Sequence, residues 1–116
     1  MQQEQADPTM QQDAPPGGPA MVLFEAIARL RQVSAVYNGV AMQLAPHVLY
    51  TRDDMLYLGG IVTAKRDVPT RNVKFSIFKV AGLGDLTLLA DAFTIDPDFN
   101  PGDPRYAATT VFVVEP

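Results

Sequence analysis

The sequence contains no cysteine and only one histidine, His47. The first absence removes disulfides, thiolate nucleophiles and cysteine metal sites together, so stability must come from packing. The second excludes a multi-histidine metal centre. A Ser-His-Asp arrangement would rest on Ser34 or Ser76, and neither stands in a sharp-turn signature. His47 therefore reads as a structural or surface residue. No apolar run approaches the ~18 residues of a membrane span, and the N-terminus has neither a basic start nor an apolar secretory stretch. A cytoplasmic location with no membrane partner is the expectation. GxGxxG and Gly-Lys-Ser/Thr are both missing, so no phosphate-cradling loop is signalled.

Lys and Arg are absent from residues 1–20, which hold five Gln, four Pro and the acids Glu4, Asp7 and Asp13. Such a segment cannot bury enough apolar surface to offset the loss of chain entropy. It predicts a disordered tail over 1–20 and one domain over 21–116, consistent with 116 residues of which 47% are hydrophobic. The net charge of −4 is unevenly spread: residues 21–79 carry eight Lys or Arg against four acids, and residues 80–116 carry one against six. The basic stretch is densest at Lys65, Arg66, Arg71, Lys74 and Lys79, where only Asp67 opposes it. It reads either as a solvated face or as a surface for an anionic partner.

Past the tail, "MVLFEAIARLRQ" places Leu23, Ile27 and Leu30 on one helical face, with Glu25, Arg29 and Arg31 on the other. The period then changes to alternation. "VSAVY" and "VAMQL" flank Asn38-Gly39, a pair that tolerates the φ > 0 of a two-residue hairpin turn. Pro46 is expected to end the second strand's regular pairing. The third strand, "MLYLGGIVTA", is apolar on both alternating sets, as in a strand covered on both faces. Its Gly59 and Gly60 lead back into Ile61 and Val62 with no helix following, which assigns them to strand curvature. "NVKFSIFKV" points Val73, Phe75 and Ile77 one way and Asn72, Lys74 and Ser76 the other. "LTLLADAFTI" and "ATTVFVVE" follow, the second beyond a Pro-rich stretch from 97 to 104. One helix and five or six short strands predict a mostly-β protein, a small, strongly bent barrel, closed or nearly so, with the N-terminal helix packed against it.

Two carboxylate groupings have plain explanations. Asp96, Asp98 and Asn100 have the 1, 3, 5 spacing of a calcium loop, but Pro101 replaces its glycine and Ala107 its bidentate acid. Asp53 and Asp54 are what a polar hairpin turn needs. No catalytic residue, metal site or cofactor is expected, and the chain reads as a non-enzyme.

The order helix, "VSAVYNG", "LAPHVLYTRDDMLYLGG", "FSIFKVAGL", "AFTIDPDFN" resembles the WYL domain, an Sm-like or SH3-like β-barrel of bacterial transcription regulators and defence-associated proteins, and implies that fold here. Leu56, Tyr57 and Leu58 stand where that family has its Trp-Tyr-Leu strand, and the likeness spans residues 21–104. It implies a stand-alone, divergent regulatory module that binds a small anionic ligand or nucleic acid and works with a separate regulator protein. Met42, Val73, Ser76 and Phe78 occupy positions that are polar in the family, while Lys79 keeps its charge.

Two functions of different class follow. In the first, Tyr37 and Tyr57 offer stacking faces while Lys74 and Lys79, helped by Arg71, hold phosphate or another anion. In the second, Phe78 and Val80, on the otherwise polar side of their strand, form a protein-interaction or self-assembly surface, with a homodimer as one outcome. Strands near the C-terminus could also pair across a two-fold axis.

Overall fold

The computed structural model describes residues 18–71 and 73–115. Most of the expected tail lies outside them, as does Asn72. Over these residues the chain is mostly β, a curled antiparallel sheet forming a half-barrel with one α-helix packed on it.

Helix α1 spans Pro19–Arg29. It begins two residues earlier than the composition suggested, because proline suits the first helical turn, where its missing N–H would have no partner. It ends when Leu30 turns left-handed at φ 54°, donating its N–H to the carbonyls of Ala26 and Ile27. Leu23, Ala26 and Ile27 form its buried stripe. Full burial of a leucine or isoleucine contributes ~1.5–3 kcal/mol, so the sheet rather than helical propensity holds α1 in place.

The strands are β1 (Arg31–Tyr37), β2 (Val40–Arg52), β3 (Met55–Lys65), β4 (Val68–Pro69), β5 (Phe75–Lys79), β6 (Gly84–Ala92) and β7 (Thr110–Val113). The order β4-β3-β2-β1-β6 makes the main path, with β5 added to β3 and β7 to β2. Three two-residue turns fold the first four strands. Asn38 and Gly39, Asp53 and Asp54, and Arg66 and Asp67 all have φ between 49° and 77°, the conformation that matches a hairpin's right-handed twist. The first two turns are as expected; the third adds the short strand β4.

The regular pairing of β2 breaks after Pro46, as expected, but Pro46 does not end the strand. The strand continues to Arg52 and absorbs the disturbance as a bulge, so that Pro46 faces Gly60 and Val48 faces Gly59, with His47 as the extra residue. The glycines of β3 answer that bulge. A Cβ on Gly60 would lie 2.5 Å from the carbonyl oxygen of Ala45, and one on Gly59 would lie 2.7 Å from the Phe75 ring and 2.8 Å from a Val48 methyl. Two strands and one aromatic ring therefore pack as close as main chain allows, which is the role expected of the pair.

The sheet is covered on both faces. Its inner face carries the main core: Val33, Ala35, Met42, Leu44, Leu49, Leu58, Phe78, Val80, Leu83 and Val114, closed by α1. Its outer face carries a smaller cluster of Val48, Tyr50 and Tyr106, flanked by Tyr57, Phe75, Ile77 and Phe99 and covered by the segment that follows β6. This reverses the expected facing of the fourth strand. That strand begins at Phe75, Val73 is 74% exposed, and Phe78 and Val80 point into the main core, while Phe75 and Ile77 pack outward under the C-terminal segment.

Candidate functional site

The outer face gathers three of the four tyrosines, and strand register explains how. Tyr50 of β2 is the cross-strand partner of Tyr57 of β3, and Tyr57 is the partner of Lys79 of β5. Directly opposed residues share a face with Cβ atoms ~5 Å apart, so the three side chains form one row. The rings of Tyr50 and Tyr57 stack with centroids 5.6 Å apart and planes 22° apart. Tyr106 extends the row at 5.4 Å from Tyr50, with its hydroxyl donating to the Asn100 carbonyl at 2.8 Å. Tyr50 and Tyr106 are buried, whereas Tyr57 is half-buried and offers the row to solvent.

Cations surround this row. Lys79 is exposed beside Tyr57. Arg52, two residues beyond Tyr50 on the same strand, falls on the same face by strand alternation. The Arg105 guanidinium sits 5.8 Å from the Tyr106 ring centre and bonds Asp103 at 3.2 Å. Burial raises the Tyr50 phenol above its ordinary pKa, and the charges of Arg105 and Arg52 pull it partly back. Asp103 is held below the usual carboxylate range, first by the Arg105 backbone N–H and then by its guanidinium. Neither Arg52 nor Lys79 has an ion-pair partner among the described residues. The Asp53–Asp54 turn lies just beyond Arg52.

The residues expected to act together are dispersed. Tyr37 packs edge-on against Phe78 at 5.1 Å on the inner face, so it cannot share a ligand with Tyr57. Lys74 and Arg71 are exposed near the start of β5, and Lys79 is at its end, roughly 13 Å from Phe75 at strand rise. Of the expected binding residues, the fold joins Tyr57 with Lys79 alone and adds Tyr50, Arg52 and Arg105, which sequence reasoning missed. The signal for Tyr50 and Arg52 was their register across the Asp53–Asp54 turn. Phe78 and Val80 are each 6% exposed, so they form core and not an interaction surface.

His47 is fully buried. Its Nδ1 lies 2.8 Å from the Ala45 carbonyl and must donate to it, while Nε2 accepts the backbone N–H of Asp96 at 3.0 Å. Rings of Phe75, Phe93 and Phe99 surround it at 5.2–5.9 Å. Burial lowers its pKa, against the opposing effects of the Ala45 hydrogen bond and the Asp96 charge. With both nitrogens committed, the imidazole cannot move a substrate proton without releasing the segment it anchors. Among the described residues no three His, Asp or Glu side chains converge as metal ligands, and no helix is long and apolar enough to cross a membrane.

In comparisons with known proteins, no family model, no curated protein and no solved structure matches the chain.

Proposed function

We propose that the protein is a non-enzymatic, WYL-like regulatory module that binds single-stranded nucleic acid on the Tyr57 row. The observation carrying this reading is the half-buried Tyr57 ring, stacked on Tyr50, with Lys79 opposite it and Arg52 two residues beyond Tyr50 on the same face. An aromatic face accepts a base of any sequence, and neighbouring cations hold the backbone phosphates on either side of it. Tyr50 supports Tyr57 from behind, so little side-chain freedom is lost when a base stacks on it. Within this reading the module serves bacterial transcription regulation in the cytoplasm, alongside a separate regulator protein. The test is titration of a fluorescently labelled oligonucleotide at low salt. Saturable binding is expected, with Tyr57→Leu weakening it by ~1–3 kcal/mol, the contribution of one stacked base. Equal binding by wild type and Tyr57→Leu would remove the row from the site. A small phosphate compound competing at equal concentration of charge would reassign it to a small anionic ligand.

A further inference from the structure

A concavity opens on the outer face, away from the Tyr57 row and opposite to it in charge. It is a groove of about 760 Å³ whose floor is Ala45 and Ile61. Val73 stands on one side; Phe93, Ile95, Asp96 and Asp98 belong to the segment on the other. That volume is within the ~300–1,000 Å³ of small-molecule sites, and the lining has their usual make-up of apolar walls with a few placed polar groups. No Lys or Arg is among the described residues lining it.

The groove is organised by three bonds that do not involve a ligand. The wall is pinned at one end by the Phe93 N–H to the Leu30 carbonyl at 3.0 Å, and in its middle by the Asp96 N–H to His47. The Asp96 carboxylate is then oriented by the Asp98 N–H, 3.1 Å from its Oδ1. Asp96 is half-buried, and among the described residues neither it nor Asp98 is paired with a cation. A carboxylate beside an apolar surface is less screened than one in open water, so it discriminates by charge more strongly. Val73, 74% exposed at the rim, leaves apolar surface there for an occupant to cover.

We infer that this groove binds a small apolar amine, its hydrocarbon or aromatic body against Ala45, Ile61, Val73 and Phe93 and its ammonium group beside Asp96 and Asp98. The carboxylates repel an acid of the same shape, and a neutral alcohol gains only the apolar contact. This inference does not rest on the Tyr57 row.

Three probes of matched shape test it by nitrogen–proton NMR titration of the full chain: 3-phenylpropylamine, 3-phenylpropanol and 3-phenylpropionate. The amine is expected to shift the amide signals of Ile61, Phe93, Asp96 and Asp98 saturably, with the alcohol and the acid at least roughly tenfold weaker. The double variant Asp96→Asn with Asp98→Asn keeps an oxygen for the Asp98 N–H and removes both charges. It should lose roughly tenfold in amine affinity while its remaining spectrum and thermal midpoint stay in place. Equal binding of amine and acid, undiminished binding by the double variant, or no saturable shift with the amine would each overturn the inference.

Discussion

The Nε2 atom of His47 accepts the backbone N–H of Asp96 at 3.0 Å, joining the β2 bulge to a segment 49 residues later in the chain. The His47 main chain adds a second tie, its carbonyl accepting the Val114 N–H at 2.9 Å. One bulged residue thus secures both the cover of the outer face and the chain beyond β7.

The burial of the His47 imidazole makes stability depend on pH. Because burial lowers the His47 pKa from 6.5, the unfolded chain takes up a proton before the folded one does. Folding stability is therefore full above about pH 6.5 and falls as the pH drops through that value toward the folded pKa, by at most ~1.4 kcal/mol per pH unit. Urea midpoints measured between pH 7.5 and 5.5 should decline in wild type and stay flatter in a His47→Gln variant. A midpoint that rises on acidification would contradict the assigned neutral imidazole.

The two glycines of β3 should respond unequally to a methyl group. Gly60→Ala drives Cβ to 2.5 Å from the Ala45 carbonyl oxygen, a main-chain atom in the bulge, whereas Gly59→Ala meets the Phe75 ring and a Val48 methyl. Overpacking costs ~1–3 kcal/mol, and Gly60→Ala should lie at or above the top of that range. Gly59→Ala should cost less, because a ring and a methyl can move. Denaturant unfolding of the two variants checks the order.

Phe78 should behave as core. Phe78→Ala is expected to lose ~3–5 kcal/mol, with a thermal midpoint independent of protein concentration. Phe75→Ala, from a half-buried position, should lose less. If Phe78→Ala were stable and changed only the mass seen by light scattering, Phe78 would belong to an interface after all.

Much of this fold is legible in the residues, and the failures have a common cause. The spacing of Leu23 and Ile27, the Asn38-Gly39 pair and the twofold apolar pattern of β3 each report a local conformation, and each is found where expected. The facing of β5 is different. Both of its sides are covered, so Phe75 and Ile77 against Phe78 and Val80 present two apolar sets, and alternation cannot say which set faces the larger core. Pro46 marks the break in regular pairing, but the continuation of β2 beyond it is decided by Gly59 and Gly60 on the neighbouring strand. The Tyr57 row was half visible. Tyr57 and Lys79 stand out as an aromatic and a cation, but Arg105 arrives through a chain reversal that no local pattern encodes.

The proposed function requires that phosphate be held at the Tyr57 end of β5 and not at the Lys74 end, and salt dependence tests this most directly. Affinity for a labelled single-stranded oligonucleotide, measured over a series of salt concentrations, should give a straight line of log affinity against log salt. Its slope should shrink by about 0.7 for Lys79→Gln and again by about 0.7 for Arg52→Gln, the value per contact for single strands. Lys74→Gln should leave the slope unchanged. No binding at the lowest salt, or a slope altered by Lys74→Gln and indifferent to Lys79→Gln, would contradict the account.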